Sequence, residues 1–132
     1  MTDNAPLDGL RLLVVEDEAL VAMVLEDYLA DLGCTVVGPA SSIVDALALV
    51  RAEPLAFDGA ILDVNLGRDP IDPVATALIE RGVPFILATG DGGAAAGRFK
   101  APILSKPFQF DALERIVRTT FVPSASSKAG KA

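Results

Sequence analysis

Short apolar runs alternate with longer segments of helical period along this chain, and that alternation limits the folds open to it. The pattern is typical of βα units, in which each strand of a parallel sheet is followed by a crossover helix. The runs predict five strands, at Leu10–Val15, Thr35–Val37, Gly59–Leu62, Pro84–Ala88 and Pro102–Leu104. Because crossovers between parallel strands are right-handed, few sheet topologies are compatible with five such units.

The predicted fold class is therefore α/β, with a five-stranded parallel sheet in the flavodoxin-like doubly wound order 2-1-3-4-5 and helices on both faces. The first helix should bury one face and end at Gly33, with the apolar face formed by Leu20, Val21, Val24, Leu25, Tyr28, Leu29 and Leu32. A second helix should begin at an N-cap, Ser41 or Ser42, and stop before Pro54.

Three further segments complete the predicted helices. Residues 72–81 should form a helix with Pro73 in its first turn, and Phe110–Phe121 should form the last one. The crossover between them, Asp91–Lys100, contains three glycines, so any helix there should be short or frayed. We expect an N-terminal extension at residues 1–8, one folded domain at 9–122, and a disordered tail at 123–132.

Composition excludes several classes of function. The chain has 132 residues with a net charge of −7, so an acidic surface argues against binding nucleic acid or anionic membranes. A single cysteine, Cys34, rules out an internal disulfide, and the absence of histidine removes the commonest general base. No apolar run reaches the length of a membrane span, and no signal peptide is evident. The expected location is the cytoplasm.

Reactive side chains follow four of the five predicted strands. Asp17, Asp63, Thr89 and Lys106 occupy these positions, and Glu16 adjoins the first of them. In the predicted order those four strands are contiguous, and the edge strand is followed only by Gly38-Pro39-Ala40, which has no ionisable group. Open α/β sheets bind ligands at the carboxyl ends of their strands, so these side chains predict one site.

The predicted site suits a magnesium ion and a phosphoryl group. Three clustered carboxylates require a counterion, and Mg²⁺ prefers oxygen ligands, waters and phosphate. We predict direct ligation by Asp17, Asp63 and the backbone carbonyl of Asn65, with Glu16 acting through water. Asp63 would be the nucleophile, while Lys106 and the Thr89 hydroxyl would contact phosphoryl oxygens. Each residue also has an ordinary alternative role. Glu16 and Asp17 could cap the first helix, Asp63 could be a turn residue, Thr89 a strand residue and Lys106 a solvated charge.

Four motifs carry a family resemblance: Val14-Val15-Glu16-Asp17-Glu18, Leu62-Asp63-Val64-Asn65-Leu66, Ala88-Thr89-Gly90 and Ser105-Lys106-Pro107-Phe108. Over residues 9–121 the chain resembles the receiver domain of two-component response regulators. The resemblance implies that a sensor histidine kinase or a histidine phosphotransferase donates a phosphoryl group to Asp63. It also implies a cis Lys106–Pro107 peptide and a stand-alone phosphoacceptor, with magnesium-dependent self-phosphorylation and self-dephosphorylation, rather than an enzyme.

One position departs from the common receiver pattern. Receivers usually place Tyr or Phe three residues before the lysine as a rotameric switch, whereas this chain has Ile103. The stretch from Pro84 to Gly92 resembles the signature of the "FAT GUY" receivers of alphaproteobacteria, which also lack that aromatic residue. The match is partial, because Leu87 and Gly92 stand where that subgroup has Phe and Tyr.

Two other functions fit the same residues. A magnesium-dependent phosphatase of the haloacid-dehalogenase type also uses a strand-end aspartate, but it usually has a second acid two residues later, where this chain has Asn65. A receiver fold could also serve as an interaction module that does not depend on phosphorylation. Three measurements distinguish these hypotheses: phosphorylation of the chain with Mg²⁺, multiple-turnover phosphatase activity, and the dependence of partner affinity on phosphorylation.

Overall fold

The protein is described by a computed structural model that covers residues 7–67, 69–90 and 99–122. The strands are β1 (Arg11–Val15), β2 (Thr35–Ala40), β3 (Gly59–Asp63), β4 (Asn65–Leu66), β5 (Asp69–Pro70), β6 (Phe85–Thr89) and β7 (Ile103–Ser105). The helices in the described part are α1 (Ala19–Asp31), α2 (Ile43–Arg51), α3 (Asp72–Glu80) and α4 (Phe110–Phe121).

The main sheet is parallel and confirms the predicted topology. Its strands lie in the order β2-β1-β3-β6-β7, which is the doubly wound order 2-1-3-4-5 once the short strands β4 and β5 are left out. Those two short strands form a separate antiparallel hairpin, which we did not predict. The frayed helix expected at Asp91–Lys100 and the tail expected at 123–132 fall largely or wholly outside the described residues.

Alternate residues of the strands face two separate cores. Leu13 and Val15 of β1 pack in the layer that contains α2 and α3, whereas Leu12 and Val14 pack in the layer that contains α1 and α4. Strands buried on both faces have continuous apolar sequences, which explains the unbroken runs in β3 and β6. The sheet therefore leaves only its edges for polar side chains.

Helix boundaries agree with the predicted ones to within a residue or two. Ser42 is the N-cap of α2, and its side-chain oxygen accepts a hydrogen bond from the backbone N–H of Asp45 at 3.1 Å. Pro73 lies in the first turn of α3, and α4 spans the predicted residues. No helix within the described ranges is long and apolar enough to cross a membrane.

The buried face predicted for α1 was partly wrong. Ala22, Leu25 and Leu29 are the buried positions, whereas Leu20 and Val24 are 76% and 39% exposed. The sheet accepts only a narrow stripe of this helix, and small Ala22 belongs to that stripe although its size gives little hydrophobic signal. The apolar surface left outside the core also includes Met23, which is 55% exposed.

Gly59, at the start of β3, lies directly under the ring of Phe121. A β-carbon at this position would fall within contact distance of three ring atoms, so any side chain would displace the ring. We expect Gly59→Ala to lower the free energy of unfolding by about 1–3 kcal/mol, the usual cost of overpacking, measured by urea denaturation. Adding Phe121→Leu should give a double variant whose loss in the free energy of unfolding is smaller than the sum of the losses in the two single variants. Strict additivity would contradict this explanation.

Candidate functional site

The carboxyl ends of four strands bring the predicted residues to one edge of the sheet. Glu16 and Asp17 follow β1, Asp63 ends β3, Thr89 ends β6 and Lys106 follows β7. The backbone register aligns Asp63 with Ala88 and Thr89 with Ser105. In addition, the N–H of Lys106 donates a hydrogen bond to the carbonyl oxygen of Thr89 at 2.8 Å. Strand pairing alone therefore fixes the relative positions of these residues.

Three carboxylates form a compact acidic cluster. Glu16, Asp17 and Asp63 each place an oxygen within 4.8 Å of the others. Glu16 and Asp63 are buried, and Asp17 is exposed, so the cluster opens to solvent on the Asp17 side. Hard carboxylate oxygens at this spacing fit a divalent cation that prefers oxygen ligands, and the cluster could hold such an ion.

Lys106 is the cation that the structure places among these acids. Its Nζ lies 2.9 Å from Glu16 Oε1 and 3.4 Å from Asp63 Oδ2. The Glu16 side chain is only 1% exposed, and its other oxygen accepts a hydrogen bond from the backbone N–H of Glu18 at 3.1 Å. Both oxygens of Glu16 thus have partners, and the exposed Asp17 is the most open of the three carboxylates.

The alternative role of these acids as helix caps finds little support in the geometry. Glu18 is the N-cap residue of α1, yet its side chain makes no capping hydrogen bond. The oxygen of Glu16 reaches the N–H of Glu18 instead, and Lys106 binds its other oxygen. The side chain of Glu16 is therefore directed into the site.

Asn65 and Thr89 complete the set of predicted site residues. The backbone N–H of Asn65 donates a hydrogen bond to Asp63 Oδ1 at 3.3 Å, so this residue contacts the central aspartate. Thr89 is buried at the same edge. The Lys106–Pro107 peptide is cis, as the family resemblance implied. The roles given to these residues in metal and phosphoryl binding stay predictions.

The hairpin β4–β5 is part of the site that sequence reasoning missed. It begins two residues after Asp63 and turns at Gly67, which has a φ of +61°. A β-carbon at Gly67 would lie 3.6 Å from Asp17 Oδ2, so the turn lies beside the open carboxylate. The glycine and the proline in Asn65–Pro70 were signals of this turn.

Burial gives Asp63 an unusual protonation equilibrium. Burial, followed by the hydrogen bond and the negative charge of Glu16, raises the pKa of this carboxyl from 3.8 to about 7. Lys106 and the Asn65 N–H lower the pKa of Asp63 but do not offset these effects. Burial lowers the pKa of Lys106, but its contacts with Glu16 and Asp63 outweigh burial and raise that pKa overall. In the metal-free site Asp63 therefore keeps its proton up to near neutral pH.

This equilibrium predicts how stability depends on pH in chelator-treated protein. Between about pH 4 and 7 the folded chain keeps a proton on Asp63 that the unfolded chain has lost. The free energy of unfolding should therefore fall as pH rises through this range, and this contribution should be constant above it. Urea denaturation at several pH values measures the slope. We expect Asp63→Asn to reduce this slope. An equal slope in that variant would contradict the assignment of the pH dependence to Asp63.

Comparison with known proteins gives the family. No protein-family model and no curated protein matches the chain. Among solved structures, SdrG from Sphingomonas melonis Fr1 is 41% identical, with a TM-score of 0.71 over 86% of this chain and 96% of that one. The response regulator PhyR from Brucella abortus is 27% identical with a TM-score of 0.77. The match covers 96% of this chain but 53% of PhyR, so the chain spans about half the length of that protein.

A third structure shares the fold. It is the receiver domain of the sensor histidine kinase PA1611 from Pseudomonas aeruginosa PAO1, solved with a magnesium ion coordinated in its active-site cleft. It is 24% identical, with a TM-score of 0.74 over 88% of this chain and 99% of that one. The sheet order, the strand-end acids and lysine, and the similarity to these proteins together show that the chain belongs to the family of receiver domains of two-component response regulators.

Proposed function

We propose that the chain is a response-regulator receiver that accepts a phosphoryl group on Asp63 from a phosphohistidine protein. Such a donor would be a sensor histidine kinase or a histidine phosphotransferase. One observation carries the proposal: the buried Asp63 carboxylate has an ammonium group 3.4 Å away and an open acidic cluster beside it. A nucleophile, a cation for phosphoryl oxygens and metal-binding oxygens therefore lie together.

The proposed reaction needs no general base. A carboxylate oxygen of Asp63 attacks phosphorus, the bond between phosphorus and the imidazole nitrogen breaks, and its electron pair stays on that nitrogen. The other ring nitrogen of the donor carries a proton, so the leaving group is a neutral imidazole. The product is an acyl phosphate on Asp63. Because Lys106 already contacts this carboxylate, its ammonium can turn from Glu16 toward a new phosphoryl oxygen with little movement. The Thr89 hydroxyl, at the end of the neighbouring strand, would donate to another.

The acidic cluster would supply the metal ligands. Asp17, Asp63 and the backbone carbonyl of Asn65 would hold Mg²⁺ directly. Glu16 would act through water, because its side chain is the more deeply buried and lies closer to Lys106 than Asp63 does. Bound Mg²⁺ would neutralise phosphoryl oxygens and align them with the attacking carboxylate. The PA1611 receiver domain, with magnesium coordinated in its active-site cleft, supports this choice of metal.

Output would then depend on protein binding or on transfer of the phosphoryl group to another histidine protein. The family assignment favours this function over the haloacid-dehalogenase alternative, which differs in both motif and strand position. An interaction module that ignores phosphorylation would use the same fold. Partner affinity that is the same before and after phosphorylation, and in Asp63→Asn, would favour that module.

Phosphotransfer from labelled phosphohistidine proteins tests the proposal. Histidine kinases and phosphotransferases are first autophosphorylated or charged, freed of nucleotide and then mixed with the chain. We expect label to leave at least one donor and appear on the chain in a base-labile form with Mg²⁺, and to stay on the donor with a chelator. Failure of every donor, together with no reaction with acetyl phosphate, would contradict the proposal.

A further inference from the structure

The turn of the β4–β5 hairpin borders the acidic cluster on its open side. Leu66 and Ile71 anchor the hairpin in the core, where they are 4% and 0% exposed. The N–H of Ile71 also donates a hydrogen bond to the carbonyl oxygen of Val64 at 3.0 Å, which closes the hairpin at its base. The turn is therefore held in place, and Gly67, which is exposed, lies beside Asp17.

Two properties of Gly67 bear on the site. Its φ of +61° is the left-handed conformation that tight hairpin turns use, and Gly, Asn and Asp adopt it most readily. Conformation alone would thus permit Asn or Asp here. The second property is direction: among the described residues outside its chain neighbours, Asp17 Oδ2 alone has an atom within 4 Å of a β-carbon placed at Gly67. A side chain at this position would therefore begin beside the open carboxylate.

The space beside Asp17 would have to admit two species of opposite charge. A divalent cation would bind the cluster of Glu16, Asp17 and Asp63, and an anionic phosphoryl donor would then reach Asp63. A negative side chain at position 67 would attract the cation and repel the donor, and a positive one would do the reverse. A position without any side chain favours neither species at the expense of the other.

We propose that Gly67 is a specificity-determining residue of the site. By placing neither charge nor bulk next to Asp17 Oδ2, it lets one opening admit both a hydrated divalent cation and an anionic phosphoryl donor. Mg²⁺ keeps several of its waters when carboxylates bind it, so the ion needs free space beside Asp17 as well as its oxygens. This inference rests on the proposed function, because it assigns the residue that balances the two ligands of that site.

Substitution by Asp and by Asn isolates the effect of charge on the cation. The two side chains have nearly the same shape and both tolerate a positive φ, so Gly67→Asp and Gly67→Asn differ mainly in charge. Mn²⁺ shares the preference of Mg²⁺ for oxygen ligands, and the electron paramagnetic resonance signal of the free ion measures its binding. We expect Gly67→Asp to bind Mn²⁺ roughly fivefold more tightly than Gly67→Asn, and Gly67→Lys to bind it more weakly than both.

The Asp and Asn variants should respond in the opposite order to an anionic donor. At saturating Mg²⁺, acetyl phosphate should phosphorylate Gly67→Asp several-fold more slowly than Gly67→Asn, because the added carboxylate repels the donor. Intact-protein mass spectrometry over time measures both rates. A defect in the turn would lower the cation affinity and the phosphorylation rate together, so tighter Mn²⁺ binding with slower phosphorylation identifies an effect of charge. Faster phosphorylation of Gly67→Asp would overturn the inference.

Gly82 provides a matched control. It is exposed, its φ is +70°, and no atom of the described residues outside its chain neighbours lies within 4 Å of a β-carbon placed there. It precedes β6, whereas Thr89 ends that strand at the site, so the two lie toward opposite ends of the sheet. Gly82→Asp and Gly82→Asn should therefore bind Mn²⁺ with equal affinity and be phosphorylated at equal rates. Circular dichroism confirms that the variants at both positions are folded.

A measurement on the parent chain needs no substitution. Bound Mn²⁺ should broaden the amide resonance of Gly67 in nuclear magnetic resonance spectra much more strongly than that of Gly82. Equal broadening of the two would overturn the inference, as would an affinity ratio between Gly67→Asp and Gly67→Asn no larger than that between Gly82→Asp and Gly82→Asn. If acetyl phosphate and Mg²⁺ still phosphorylate the parent chain, either result leaves the proposed function intact.

Discussion

Replacing Asp63 with asparagine is expected to abolish phosphorylation of the chain by acetyl phosphate and Mg²⁺. The amide is nearly isosteric with the carboxylate, so the fold should persist, but the side chain has no anionic oxygen to attack phosphorus. Intact-protein mass spectrometry measures the fraction that gains one phosphoryl group. We expect that fraction to fall to the detection limit, the largest change in activity that one substitution should cause.

The matched control is Asp69→Asn. Asp69 lies in the β4–β5 hairpin, is exposed, and undergoes the same change of carboxylate to amide near the site. It should keep the phosphorylation of the parent chain. Asp63→Asn should also make the metal-free protein more stable at neutral pH, because a buried carboxylate beside Glu16 is removed. Full phosphorylation of Asp63→Asn would show that another residue accepts the group.

Lys106→Met is expected to cause the largest loss of stability at the site, about 3–5 kcal/mol in the free energy of unfolding. The reason is Glu16, whose side chain is 1% exposed and would lose the ammonium that now lies 2.9 Å away. Lys106 itself is only 17% exposed, so water cannot replace it freely. Urea denaturation at neutral pH measures the effect, and phosphorylation of this variant should also slow because phosphoryl oxygens lose a cation.

Two comparisons isolate the cause. Adding Glu16→Gln to Lys106→Met removes the unpaired charge, and we expect it to restore much of the lost stability. Arg11→Met breaks an exposed ion pair with Asp58 and should lower the free energy of unfolding far less, because water screens exposed charges. Two results would contradict the stabilising role of the buried pair. One is a loss in the free energy of unfolding in Lys106→Met no larger than in Arg11→Met, and the other is no recovery of stability when Glu16→Gln is added.

The topology and most element boundaries could be predicted because local and long-range signals agree. Buried parallel strands need unbroken apolar runs, and crossover handedness leaves few ways to arrange five of them. The exposed face of α1 could not be predicted from periodicity. Leu20 and Val24 have the hydrophobicity of core residues, and only the three-dimensional fit against the sheet shows that Ala22 takes the buried position.

The site was predictable at the level of which residues meet. Strand ends in a parallel sheet lie at one edge, so Asp17, Asp63, Thr89 and Lys106 acquire a common location from topology alone. Which acid Lys106 binds most closely was not predictable. That choice depends on side-chain reach and burial, and the structure gives the shorter distance to Glu16.

The departure from the usual receiver pattern bears on output. Ile103 is the first residue of β7, where an aromatic side chain would be expected in a receiver of the common type. The chain instead places the rings of Tyr28 and Phe108 in edge-on contact, and Phe108 follows Lys106 by two residues. The similarity to the "FAT GUY" subgroup stays a prediction. The isoleucine at position 103 and the ring contact between Tyr28 and Phe108 give a reason to examine α1, and not only β7, for the effect of phosphorylation.

Identification of the phosphorylated residue is the most direct test of the central claim. Borohydride reduces an aspartyl phosphate to homoserine, and tandem mass spectrometry locates that homoserine in the sequence. After treatment with acetyl phosphate and Mg²⁺, the proposed function predicts homoserine at position 63, and none when a chelator replaces the metal. Homoserine at position 17 or 69, or no homoserine in a chain that has gained a phosphoryl group, would contradict it.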